Sequence, residues 1–120
     1  MALGVARAAC EYSLEYAKER KAFGEAIAQR QSIAFTLAEM RTDLDAARMM
    51  VWKAAWLLDR GEDATRESCL ASNFTSDMAV TVADRALQIL GGYGFIREFP
   101  VELWLRNARG FAIMEGITII

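Results

Sequence analysis

The hydrophobic positions of one long stretch, residues 32–59, recur at alternating steps of four and three residues. A period near 3.5 places such positions along one face of an α-helix, and no Gly or Pro interrupts this one. A helix of this length measures about 40 Å. Because ordering so many residues costs more free energy than a single buried stripe contributes, the stripe must meet partner helices. Its members are Ile33, Leu37, Met40, Leu44, Ala47, Val51, Ala54 and Leu58.

Two further stretches, residues 3–19 and about 64–90, also show helical periodicity. The first presents an apolar face made by Val5, Ala9, Tyr12 and Tyr16. The second presents one made by Ala71, Phe74, Met78, Val82, Ala86 and Ile89. We therefore predict an all-α, up-and-down helical bundle of three long helices plus short ones. The fourth bundle helix is expected to be truncated. Either the groove that it would fill stays open or another chain fills it, and we expect an oligomer for that reason.

Glycines separate the predicted helices, and Asp63 can cap the third one. Pro100 can occupy the first position of a short fourth helix, which is predicted to end near Asn107. The residues that follow show no strong period. The predicted helix stops are Gly24, Gly61 and the GGYGF segment, Gly91–Phe95.

Composition narrows the class of protein. The 120 residues are 54% apolar and 25% charged, which is typical of one globular domain spanning residues 1–120. A net charge of −2 does not favour a nucleic-acid or membrane-surface protein, and no apolar run approaches a membrane span. Two isolated cysteines, Cys10 and Cys69, and the lack of a signal peptide favour a reducing compartment. The chain has no His, which excludes His-based triads and most zinc sites, so no metal site is predicted.

Two loops carry residues that suit a phosphate ligand. Arg20, Lys21 and Arg30 precede the start of the long helix, where free backbone N–H groups and positive side chains attract anions. Gly91 and Gly92 let a pyrophosphate or another backbone come close, although the segment is not a GxGxxG motif. A solvated surface turn and a plain helix stop are the alternatives for these two loops.

Glu115 is the one carboxylate of the apolar C-terminal segment, between Met114 and Gly116. A carboxylate with apolar neighbours can have a raised pKa and serve as a general base. A Glu in an exposed turn is the alternative.

Taken together, these stretches resemble the C-terminal helical domain of acyl-CoA dehydrogenases, of the medium- and short-chain type, and the resemblance covers the chain in order. Its motifs are Tyr16-Ala17-x-Glu19-Arg20-x-x-Phe23-Gly24, then Ile27 and Gln31, then Gln88-Ile89-Leu90-Gly91-Gly92-x-Gly94-Phe95, then Pro100-Val101-Glu102 and Glu115-Gly116.

The resemblance implies a flavoenzyme domain that acts on acyl-CoA thioesters. Glu115 matches the catalytic base that removes the α proton, and Gly116 would lie against the substrate thioester. FAD is the implied cofactor, and an electron-transfer flavoprotein is the implied electron acceptor. The residues matching those that contact the FAD of a neighbouring subunit are Arg20, Phe23, Gln31, Gln88, Gly91 and Gly92.

The expected assembly is a homo-oligomer, a dimer or tetramer, located in the cytoplasm, or in the mitochondrial matrix in a eukaryote. The chain by itself, without the other domains of the family, is expected to be inactive. Two other functions stay open. One is a non-catalytic helical oligomerisation module, which is favoured slightly by Ile117 and Ile119 where the family usually has polar residues. The other is the domain of an acyl-CoA oxidase-type flavoenzyme.

Overall fold

Four helices run alternately up and down in the computed structural model, which describes residues 1–114. Their bounds are α1 Ala2–Glu19, α2 Gln31–Asp59, α3 Thr65–Leu90 and α4 Val101–Met114. Helix α3 contacts the other three helices and is the centre of the bundle. The predicted all-α, up-and-down bundle with three long helices is therefore confirmed. None of the helices in this range is both long and apolar enough to cross a membrane.

The fourth helix is longer than predicted. It continues through Asn107, the predicted end, as far as Met114. Its buried positions, Val101, Ala108 and Ala112, recur at steps of seven and four residues, which is helical spacing. The extension was missed because two of these three positions are alanines, which mark an apolar face less clearly than large side chains do.

The hydrophobic stripe of α2 is buried over most of its length but not at its C-terminal end. The predicted stripe is wrong at Val51, which is 37% exposed, and at Leu58, which is 62% exposed. Both lie where α2 extends toward its end at Asp59 and, among the described residues, only partly meets a partner helix. The buried members are Leu37, Met40, Leu44, Ala47 and Ala54.

The face that α1 buries is narrower than the sequence indicates. Tyr12 and Tyr16, predicted as core residues, are half-buried at the rim. The buried positions are small, and Ser13 satisfies its hydroxyl by donating a hydrogen bond to the Cys10 carbonyl at 3.0 Å. Small residues let helix backbones approach closely, and here they face the alanines of α3. The buried residues of α1 are Ala6, Ala9, Cys10, Ser13 and Ala17.

A short β-hairpin, which the sequence did not predict, connects α1 and α2. Strand β1 (Lys21–Ala22) pairs antiparallel with β2 (Glu25–Ala26), and a 3₁₀ turn over Ile27–Gln29 leads into α2. The two residues between the strands both have positive φ, 56° at Phe23 and 89° at Gly24. Positive φ at both central residues is what a type I′ turn, a common two-residue hairpin connection, requires.

Candidate cofactor-binding site

An open cavity of about 470 Å³ lies at one end of the bundle, between the hairpin and the segment that follows α3. We call this the loop end. The cavity brings together Arg20 from the first predicted cofactor segment and Gly91 and Gly92 from the second. It is lined by Tyr16, Arg20, Ile27, Ile89, Leu90, Gly91, Gly92, Tyr93 and Ile96.

Backbone hydrogen bonds hold Arg20 where α1 ends. Its N–H donates to the Tyr16 carbonyl at 2.8 Å, and its carbonyl accepts from the Ile27 N–H at 2.9 Å. The guanidinium carbon lies 5.6 Å from the centroid of the Tyr93 ring, within range of a cation–π contact. The positive charge of Arg20 therefore sits at the mouth of the cavity, beside the glycines.

Three aromatic rings support the loop that carries the glycines. Tyr93 lies 5.2 Å from Phe99 between ring centroids, and Tyr16 lies 6.5 Å from Tyr93 and 6.4 Å from Phe99. The two contacts of Tyr16 are edge-on, an arrangement that aromatic pairs favour. The loop after α3 is thus fastened to both α1 and the segment before α4.

The three glycines of the loop serve different physical purposes. Gly91 ends α3 with φ at 60°, a conformation that side chains rarely adopt. At Gly92 an added Cβ would meet no atom within 4 Å, so its backbone faces open space. At Gly94 a Cβ would lie 2.6 Å from the Leu87 carbonyl oxygen, so only glycine fits there. The role of Gly94 in packing was missed, because nothing in the motif distinguishes it from Gly92.

The hairpin presents Phe23 to solvent, with 94% of the residue exposed. The guanidinium carbon of Arg30 lies 4.9 Å from the centroid of its ring. Arg30 also donates to the Ala22 carbonyl at 3.4 Å and pairs with Glu25 at 3.6 Å. These contacts link the start of α2 to the turn of the hairpin.

The two predicted glutamines lie near the loop end but not in the lining of the cavity. Gln31 is exposed as the first residue of α2. Gln88 is exposed in the last turn of α3, where its carbonyl accepts the N–H of Gly91. Glu115 and Gly116, the predicted base and substrate residue, lie outside the described residues. Within residues 1–114, no group of three or more His, Cys, Asp or Glu side chains is placed to hold a metal ion.

The geometry of the loop end fits a dinucleotide. The exposed backbone of Gly92 and the charge of Arg20 suit a pyrophosphate, which needs close approach and positive neighbours. The exposed ring of Phe23 offers an aromatic face to a planar base. FAD combines these two features, so the residues present fit this cofactor.

Comparison with known proteins identifies the family. A family model for the acyl-CoA dehydrogenase C-terminal domain matches residues 1–120. The chain therefore belongs to the acyl-CoA dehydrogenase family and corresponds to its C-terminal domain.

Individual relatives agree with this assignment. The chain is 47% identical to a probable acyl-CoA dehydrogenase of Bacillus subtilis, over 100% of the chain and 32% of that protein. It is 45% identical to a subunit of the caffeyl-CoA reductase–Etf complex of Acetobacterium woodii, over 95% of the chain and 30% of that subunit. The structure of butyryl-CoA dehydrogenase from Megasphaera elsdenii superposes with a TM-score of 0.96 at 41% identity, covering 98% of the chain and 30% of that structure. The chain thus spans less than a third of the length of these relatives.

Proposed function

We propose that the complete protein containing this domain is a flavin-dependent acyl-CoA dehydrogenase, which introduces a double bond between the α and β carbons of an acyl-CoA thioester. The observation that carries the proposal is the match of the whole chain to the family, in order and at 40–50% identity with relatives of this type. The cavity at the loop end supports it, because its lining suits the pyrophosphate of FAD.

The loop end is proposed to bind the FAD of a neighbouring subunit. Arg20 would neutralise the pyrophosphate, and the open backbone of Gly91 and Gly92 would admit it closely. Phe23 and Gln31 would contact the adenosine part of FAD. Gln88 would contact FAD from the second segment, the one that contains Gly91 and Gly92. Their exposure on one end of the bundle supports this role, since a cofactor shared between subunits must be reached from outside.

Glu115 is proposed as the base that removes the α proton of the substrate, and Gly116 as the residue beside the thioester. FAD, when bound, accepts the hydride from the β carbon. The carboxylate of Glu115 becomes protonated in this step and must release the proton before the next turnover. A carboxylate in apolar surroundings has a raised pKa, which suits a general base that works near neutral pH.

The proposed partners are the acyl-CoA substrate, an electron-transfer flavoprotein and further copies of the chain in a dimer or tetramer. The relative named as a subunit of a caffeyl-CoA reductase–Etf complex supports an electron-transfer partner. A cytoplasmic location, or the mitochondrial matrix in a eukaryote, suits these partners. Sedimentation of the complete protein as a monomer at high concentration would argue against the shared site.

A titration of the complete apoprotein with FAD tests the cofactor site. We expect Gly92→Ala to weaken FAD binding at least tenfold without loss of folding, because the added methyl occupies open space that the pyrophosphate needs. The matched control is Gly4→Ala, which adds the same methyl in equally open space at the other end of the bundle. Equal FAD affinity of the two variants would contradict the proposed site.

A second experiment separates the enzyme from its alternatives. Anaerobic addition of acyl-CoA should bleach the bound flavin in the unsubstituted protein and leave it oxidised in Glu115→Gln, which should retain FAD. A protein that binds no flavin would be the non-catalytic oligomerisation module, and rapid reoxidation of the reduced flavin by oxygen would indicate an acyl-CoA oxidase. Turnover by the 120-residue chain alone would contradict its expected inactivity.

A further inference from the structure

We infer that Arg30 is a positioning residue that holds the ring of Phe23 ready for a planar base, and that it acts through this ring without contacting the cofactor itself. The inference rests on the proposed FAD site and adds a residue that the motif did not include. It depends on the geometry of the hairpin turn, on the partners of Arg30 and on a similar cluster at the other end of α2.

The conformation of Phe23 requires support. Its φ of 56° lies in the left-handed region, which costs a non-glycine residue free energy that its surroundings must offset. Burial cannot supply this, because the residue is 94% exposed. Non-glycine residues held in such backbone conformations cluster at active sites and ligand clamps.

Arg30 supplies the support from the adjacent helix. Its backbone begins α2, where its carbonyl accepts the N–H of Ala34 at 2.9 Å. Its guanidinium lies 4.9 Å from the centre of the Phe23 ring and also donates to the carbonyl of Ala22, the residue before the turn. The side chain therefore joins the rigid start of a 29-residue helix to both the ring and the backbone of the turn.

The two arginines of the loop end, Arg20 and Arg30, differ in whether a carboxylate already pairs with them. Arg30 pairs with Glu25 at 3.6 Å, so part of its charge is already neutralised within the hairpin. Arg20 has no carboxylate partner among the described residues, and its guanidinium lies at the cavity. Arg20 is thus better placed to bind a phosphate, whereas the Arg30 guanidinium lies over the Phe23 ring and leaves that ring accessible to a base.

The other end of α2 provides a matched control. Arg60 lies 4.7 Å from the ring centroid of Trp56 and pairs with Glu62, the same combination of arginine, aromatic ring and glutamate. This cluster lies at the C-terminal end of the long helix, the end opposite the cavity. Arg60→Ala removes an equivalent cation–π contact and should leave FAD affinity unchanged.

A double-mutant cycle on the FAD dissociation constant of the complete protein tests the inference. We expect Phe23→Ala to weaken binding about tenfold, through loss of base stacking. Arg30→Ala should weaken it about threefold through loss of the cation–π contact. In the Phe23→Ala background, Arg30→Ala should have almost no further effect, because there is no ring left to hold.

The variant Arg30→Lys separates the effect of the charge of Arg30 from the effect of its flat guanidinium. Lysine retains the charge and can still pair with Glu25, but it lacks the flat guanidinium that lies over the ring. We expect its affinity to resemble that of Arg30→Ala, and circular dichroism should show that both variants are folded.

Each alternative outcome is distinguishable. If Arg30→Ala has the same effect in both backgrounds, or if Arg30→Lys keeps full affinity, Arg30 attracts the cofactor by its charge. Either result would overturn this inference but leave the proposed FAD site standing. An unchanged affinity in Phe23→Ala would overturn it as well. If the unsubstituted protein binds no FAD, the proposed function fails and the inference with it. A loss of affinity in Arg60→Ala equal to that in Arg30→Ala would also count against a local role.

Discussion

The two ends of helix α2 differ in how fully they are partnered, although one hydrophobic period runs through both. At the loop end, α2 begins beside the hairpin and α1, and Leu37, Met40 and Leu44 are buried. At the opposite end, which we call the far end, the stripe residues Val51 and Leu58 are exposed, as are Trp52 and Trp56 outside the stripe. The same sequence pattern therefore produces a packed core at one end and an apolar surface at the other.

The reason lies in what surrounds each end. The loop end has the hairpin, the glycine loop and the aromatic cluster of Tyr16, Tyr93 and Phe99. The far end has the starts of α1 and α3 and an open cavity of about 370 Å³, whose lining includes Val51, Thr75 and Phe111. Periodicity predicts which face of a helix is apolar, but the neighbours that cover that face come from distant parts of the chain.

Substitution of a leucine by alanine at each end should give the largest difference. Leu44 is 1% exposed and Leu58 is 62% exposed. We expect Leu44→Ala to lower the free energy of unfolding by about 3 kcal/mol, because it leaves a cavity in a packed core. Leu58→Ala should change it by less than about 0.5 kcal/mol. Urea unfolding of the 120-residue chain measures both, and similar losses would mean that the far end is as well packed as the loop end.

Alanine at two glycines of the loop end should give the next largest effect. Gly94→Ala places a methyl group 2.6 Å from the Leu87 carbonyl oxygen, and a backbone atom cannot move aside easily. We expect a loss of about 2 kcal/mol in the free energy of unfolding, as for other overpacked sites. Gly92→Ala, two residues away, should cost well under about 1 kcal/mol, since its methyl meets no atom. A reversed order would contradict the geometry of the loop.

The residues of the loop end also show what the sequence could and could not predict. Three helices followed from periodicity, and the end of α2 at Gly61 followed from the residue type. Asp63 lies one residue before Ala64, the N-cap of α3, although its carboxylate does accept the Thr65 N–H. The hairpin could not be predicted, because Phe23 is an unusual residue for a positive φ and the two strands of the hairpin are only two residues long. The cation–π contact of Arg30 with Phe23 could not be predicted either, since it depends on how the hairpin folds back toward α2.

The candidate site, too, could be predicted only in part from the sequence. The family motif suggested Arg20, Gly91 and Gly92 separately, and the structure brings them to one cavity because α1 ends and α3 ends at the same end of the bundle. Their binding of FAD stays a prediction. Glu115 and Gly116 lie outside the described residues, so their roles depend on the motif alone.

A smaller effect of opposite sign is expected at the far end. Gly4 lies inside α1, where glycine weakens a helix, and a methyl group there would meet no atom outside the helix within 4 Å. We expect Gly4→Ala to raise the free energy of unfolding by about 0.5–1 kcal/mol. Thermal unfolding checks this. Destabilisation would mean that the far end is more tightly packed around α1 than its open cavity indicates.

The smallest effect should come from the charge that caps α3 at the far end. The Asp63 carboxylate accepts hydrogen bonds from the Thr65 hydroxyl at 2.6 Å and from the Thr65 N–H at 3.0 Å, and these lower the pKa of Asp63 below its usual 3.8. A pKa that is lower in the folded state adds stability above the unfolded pKa, and this stability is lost as the pH falls through the folded value.

Asp63→Asn keeps the shape and a hydrogen-bond acceptor but not the charge. The variant should therefore be less stable than the unsubstituted chain at pH 7, and the difference should shrink as the pH falls below about 4. Urea unfolding at a series of pH values measures this, and a difference that does not depend on pH would mean that the cap acts by shape alone.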